Sequence, residues 1–161
     1  SWHMVGSLQT NKVKPLLPRI SLLHSLDRLD LAVAVGRHVP EGFRLPALIQ
    51  VNTTGEGTKC GVAPAGVEAL VDSLRGVTAI ELRGLMTIGP LFGTEGENRR
   101  AFALLRTLRD RQVARHPDLG LDVLSMGMSD DFPEAIIEGA THLRIGSRVF
   151  GERDHGPQLP R

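Results

Sequence analysis

Two short stretches near the C-terminus carry the residue types that can hold a small anion. Ser125-Met126-Gly127-Met128-Ser129 and Arg144-Ile145-Gly146-Ser147 combine glycines, which let a backbone approach a ligand, with hydroxyls and amide donors, and Arg144 adds a fixed cation. That chemistry suits a phosphate group. A plainer reading is open too: Gly127 and Gly146 make tight turns, and Arg144 pairs with a surface carboxylate. Spacing does not separate the two. Asp130 and Asp131 count against an anion site, because carboxylates in a first helical turn favour the dipole but repel phosphate. The phosphate reading requires both to point away.

Other constellations are weaker. Gly55-Glu56-Gly57-Thr58-Lys59-Cys60-Gly61 is glycine-rich and carries a lysine but does not fit the phosphate-loop pattern G-x-x-x-x-G-K-[ST], so it reads as a flexible loop after Asn52. The sequon Asn52-Thr53-Thr54 reads as chance in a chain with no visible signal peptide. The six histidines include no H-x-x-x-H pair and Cys60 is the sole cysteine, which argues against zinc. His3 and His24 fall in strand-like runs, where a hydrogen-bonded structural histidine is the default. Met86, Met126 and Met128 read first as core filling.

The elements that must position these residues alternate along the chain. Aliphatic runs at residues 2–6, 20–25, 47–52, 81–88, 121–125 and 141–145 predict strands, apolar on both faces as a helix-covered parallel sheet requires. Between them Val67, Leu70, Val71 and Leu74, and again Ala101, Leu104, Leu105 and Leu108, follow the i, i+3, i+4, i+7 spacing of a helix face. Further helices are expected around Ala32 and Val35, ended by Gly36, and over residues 134–138, ended by Gly139. Strand–helix repetition means parallel βαβ units. An open doubly wound sheet would usually show G-x-G-x-x-G after an early strand, and none is present. A (β/α)8 TIM barrel needs eight units over about 250 residues. Six units are visible, so the expectation is an incomplete barrel over residues 1–154 with a tail at 155–161. In such folds ligands sit at the C-terminal ends of strands, where both anion-type stretches fall.

Composition bounds the rest. With 161 residues and a net charge of +1, the chain is sized for one domain and has no basic surface for nucleic acid. The longest charge-free stretches, residues 84–94 among them, are too short to span a membrane. A single cysteine favours a reducing, cytoplasmic setting.

At the residues that could do chemistry the chain also resembles a known family. Trp2-His3-Met4-Val5-Gly6-Ser7-Leu8-Gln9-Thr10-Asn11-Lys12, Gln50-Val51-Asn52, Leu82-Arg83-Gly84-Leu85-Met86-Thr87-Ile88, Ser125 to Asp131 and Arg144 to Gly151 are similar, in order, to motifs of the YggS/PROSC family of pyridoxal 5′-phosphate homeostasis proteins. The resemblance implies a barrel like the N-terminal domain of alanine racemase, holding pyridoxal phosphate without firmly established catalysis. It implies that Ser129, Gly146 and Ser147 hold the phosphate, that Arg144 lies beside the cofactor, and that Ser125, Gly127, Met128 and Asn52 line the site. Ser7 departs from the His or Pro often found in relatives. The larger departure is that relatives begin with two further βα units, the first carrying the Schiff-base lysine. Lys12, Lys14 and Lys59 do not match that position, so the chain reads as shortened at its N-terminus, with phosphate anchoring kept and the covalent lysine absent.

The expected function is therefore non-catalytic cofactor carriage. The alternatives are a racemase-like pyridoxal-phosphate enzyme, disfavoured by the lack of any Tyr as a second acid–base group, and a barrel enzyme for a small phosphate ester. The longer family members are expected to be monomeric, whereas this chain is expected to self-associate through open sheet edges.

Overall fold

The computed structural model describes residues 1–57 and 59–151; the expected boundary at 154 and the tail 155–161 lie outside the described residues. Six strands form one sheet: β1 (His3–Met4), β2 (Leu22–Leu26), β3 (Leu45–Gln50), β4 (Ile80–Met86), β5 (Val123–Met128) and β6 (His142–Arg144). They lie side by side in chain order, and every neighbouring pair is parallel. A doubly wound sheet reverses its order at a switch point. This one never does, so it is the wall of a (β/α) barrel, six units long and unclosed among the described residues.

Helices cover one face. α2 (Leu29–Gly36), α3 (Val67–Leu74), α4 (Glu95–Arg115) and α5 (Phe132–Ile137) stand where the apolar spacing puts them. Their apolar stripes pack on Leu23, Leu26, Ala47, Ile49, Leu85 and Leu124 in the main core. Strand alternation sends the intervening residues to the opposite, concave face, where Leu22, Leu48, Met86 and Val123 form a second cluster with Val5 and Ile88. That face also carries the polar residues of the site.

Two features depart from the sequence reading. Between β1 and β2 the chain makes a 3-10 turn, the short helix α1 (Val13–Leu16) and another 3-10 turn. Pro15 and Pro18 interrupt any apolar period there, yet Val13 is fully buried and pins the segment. The second departure concerns β5, which runs on through Gly127 and Met128, residues expected in the following loop. Gly127 has φ +91, and the register with β6 shifts between Ser125 and Met128. A bulge thus carries the strand past the glycine instead of ending it.

Candidate functional site at the ends of the last two strands

The bulge decides where the β5 loop meets the β6 loop. Met128 stands opposite Arg144, so Ser129 and Gly146 emerge together. Ser129 Oγ accepts the Gly146 N–H at 3.1 Å and the Arg148 N–H at 3.5 Å, and Arg148 Nε donates to the Ser129 carbonyl at 2.7 Å. Ser129 therefore caps the short helix α6 (Ser147–Phe150), whose first residue is Ser147. Gly146 is neither conformationally nor sterically obliged to be glycine, since its φ is −119 and a Cβ placed there meets nothing within 4 Å. Gly127 is obliged on both counts. Its added Cβ would lie 2.5 Å from that of Ala135.

The carboxylates divide. Asp130 is exposed. Asp131 is buried and precedes α5, and its Oδ1 accepts the Met128 N–H. The amide of Met128 is thereby committed inside the protein, leaving its half-exposed side chain as what it offers a ligand.

Arg144 is held from beneath. Its Nη1 donates to Ser125 Oγ and its Nη2 to the Thr87 carbonyl, both at 2.8 Å. Burial lowers its pKa, and nearby Asp131 opposes that shift; an arginine stays charged throughout. Ser125 is wholly buried and serves as a support under Arg144. Its Oγ also lies 2.9 Å from His24 Nδ1, and His24 Nε2 lies 3.1 Å from His3 Nδ1. The rings of His3, His24 and His142 cluster with centroids 5.2 to 6.2 Å apart. Burial, followed by the neighbours His3, Arg144 and His142, pushes the His24 pKa down to about 4. A serine and two histidines in line suggest a nucleophile and its base, but this hydroxyl is out of reach of a substrate and already accepts from Arg144. Among the described residues no group of three or more His, Cys, Asp or Glu could hold a metal ion.

Asn52 follows β3 and is engaged with its own loop. Its Oδ1 accepts from Thr54 and Gly55, and its Nδ2 donates to the Glu56 carbonyl at 2.8 Å, so it organises its own loop. Lys59 is similarly engaged, its Nζ donating to Glu56 at 2.8 Å and to the Gly89 carbonyl at 2.7 Å. Asn52, Lys59, Val5, Gly6 and Gln50 border a cleft of about 140 Å³, and a larger one of about 530 Å³ opens between Thr53, Glu56, Phe92 and Arg100. Lys12 and Lys14 project from the segment after β1 and are exposed.

The structure thus brings Ser129, Gly146, Ser147 and Arg144 to neighbouring strand ends, with Ser125 beneath Arg144 and Asn52 at the end of β3. The histidine chain is what sequence reasoning missed. The only signal was alternation, which sets His24 on the face of Leu22 and Ser125 on that of Val123. Nothing local says that β2 and β5 bring those faces together.

Comparison with known proteins accounts for this geometry. Residues 6–154 match the family described as alanine racemase, N-terminal domain. The pyridoxal phosphate homeostasis protein of Pseudomonas aeruginosa is 42% identical over 97% of this chain and 66% of its own length. That of Aquifex aeolicus is 43% identical over 96% and 68%. The chain therefore spans about two thirds of the length of such relatives. The structure of PipY from Synechococcus elongatus with PLP bound superposes with a TM-score of 0.85 at 36% identity, over 94% of this chain and 70% of that one. An alanine racemase of Clostridium difficile shares the fold, at TM-score 0.69 and 13% identity over 94% of this chain and 39% of its own. Sequential parallel strands, the paired loops at their ends and the extent of these matches together mean that the chain belongs to the pyridoxal phosphate homeostasis protein family, within the alanine racemase N-terminal domain fold.

Proposed function

We propose that this chain binds pyridoxal 5′-phosphate through the phosphate, at Ser129, Gly146 and Ser147, and contributes to cytoplasmic cofactor homeostasis without catalysing a reaction of its own. The observation that carries the reading is Gly146. Its backbone N–H meets Ser129 Oγ where the β5 and β6 loops join, and the open space where its side chain would be leaves room for a close ligand there. Ser129 Oγ takes the Gly146 and Arg148 N–H groups, which leaves the Ser147 N–H and hydroxyl for the ligand, and Arg144, with further N–H donors beyond the two already engaged, supplies the charge. When bound, pyridoxal phosphate would bring an electron-withdrawing ring to this mouth. The chain's own part is to orient the phosphate and keep Arg144 turned to it, while Asp131 spends an oxygen on the Met128 amide instead of facing the anion. The names of the relatives and the cofactor in the PipY structure support this reading over a racemase or a phosphate-ester enzyme.

Titration with pyridoxal phosphate and with inorganic phosphate, by calorimetry, tests it. Gly146→Val should abolish binding of both while leaving the melting temperature unchanged, because the added side chain fills the ligand's space and nothing else. Ser129→Ala should weaken binding by about 1 kcal/mol and Arg144→Gln by roughly 1.5 to 3 kcal/mol. Unaltered affinity in all three variants would move the site elsewhere.

A further inference from the structure

The line of groups beneath Arg144 has a direction that hydrogen-bond accounting fixes. Ser125 Oγ receives an N–H from Arg144, and its own hydroxyl hydrogen, buried away from water, needs an acceptor. Apart from Arg144, its one hydrogen-bond partner among the described residues is His24 Nδ1. His24 Nδ1 must then carry the lone pair, which puts the His24 proton on Nε2, pointed at His3 Nδ1 3.1 Å away. We propose that His24, oriented by His3 and acting through the Ser125 hydroxyl, is a positioning residue that aims the Arg144 guanidinium at the ligand mouth, so that β1 and β2 control a cation presented by β6. The assignment of Arg144 to a phosphate-bearing ligand rests on the function proposed above; the relay itself does not.

The surroundings agree with a neutral imidazole in this role. The charged or titratable groups bearing on His24 are His3 on β1 and His142 and Arg144 on β6, all of them basic; Asp131, at the start of α5, acts on Arg144. A second proton on His24 would aim two donors, Arg144 and His24 Nδ1–H, at one serine oxygen and leave the hydroxyl hydrogen without a partner. The serine oxygen would then share its two lone pairs between both cations while its own hydrogen stayed buried without an acceptor, which weakens the support Ser125 gives Arg144 beside the Thr87 carbonyl.

The test is nitrogen-15 NMR of the full chain, following the histidine tautomers and the exchange rate of the Arg144 side-chain N–H groups, alongside pyridoxal phosphate titration. The expected result is an Nε2–H tautomer for His24 at neutral pH. His24→Leu should speed Arg144 exchange about tenfold and weaken pyridoxal phosphate about tenfold. His24→Asn, whose side-chain oxygen can replace Nδ1 as acceptor, should recover most of both. If His24→Leu fails to fold, Ser125→Ala removes the same link and should give the same exchange. An Nδ1–H tautomer, or Arg144 exchange unchanged in whichever of these variants folds, overturns the relay. Exchange that responds to His24 in a chain that does not bind pyridoxal phosphate upholds the relay and overturns the proposed function instead.

Discussion

Glycines in and beside the strands of this molecule serve opposite purposes, and their side-chain space separates them. Gly84, in the middle of β4, has φ +150, and a Cβ there would stand 1.9 Å from the Val123 carbonyl oxygen of β5. Gly84→Ala should therefore destabilise the fold by about 3 kcal/mol or more, read as a lowered urea midpoint. A midpoint equal to wild type would mean that β4 and β5 can part at little cost. The sequence could not distinguish Gly84 and Gly127 from Gly146, because each is simply a glycine in or beside an aliphatic run until the neighbouring strand is in place. Titration of His24 belongs to the same scale. Its pKa falls from 6.5 unfolded to about 4 folded, so between those values the unfolded chain binds more protons than the native one. Its contribution is complete above pH 6.5 and is lost as the pH drops through that window. His24→Asn should lose less stability than wild type between pH 7.5 and 4.5, and equal losses in the two proteins would show that His24 does not titrate as its burial implies.

Elements were legible where a period of 2 or 3.6 repeats, and less so where the chain stops abruptly or turns on proline. α4 shows both cases. Leu105 and Leu108 announced its centre, while its start lies in the polar stretch before Ala101 and is set by a capping box. Thr94 Oγ1 accepts from the Glu97 N–H, and the Glu97 carboxylate accepts from the Thr94 N–H and hydroxyl, both at 2.8 Å, which together hold its pKa below the usual carboxylate range. α4 is also tied to the end of α5 by buried Glu138, which accepts from Arg99 at 3.0 Å and forms an ion pair with Arg106 at 3.1 Å. Thr94→Ala should cost about 1 kcal/mol, the usual value of a lost cap, measured by chemical denaturation. Because the first turn of α4 lines the larger cleft and not the Ser129 loop, phosphate affinity should not change. A loss of affinity in Thr94→Ala would mean that the helix start is coupled to the mouth.

For the whole molecule, the consequence of six sequential parallel strands is a wall with two free edges among the described residues. β1 is paired only to β2, and β6 only to β5. Both edges are short, two and three residues, which limits how far another backbone could pair along them. Apolar side chains beside them are the stronger liability. Trp2 is 78% exposed next to β1, and Val149 and Phe150, at 66% and 87%, stand beyond β6 with half-exposed Leu143. Monomeric proteins rarely leave large apolar groups this exposed at the edges of a sheet without a partner surface. The chain on its own should therefore self-associate at micromolar concentration, through these side chains more than through strand addition. Sedimentation velocity over a concentration series provides the measurement. Paired changes Trp2→Lys and Phe150→Glu should return the chain towards the monomer without altering its far-ultraviolet circular dichroism, since neither residue belongs to the core. A wild-type sedimentation coefficient independent of concentration would show that the open wall is stable in water as it stands, and that the exposed tryptophan and phenylalanine do not make it adhesive.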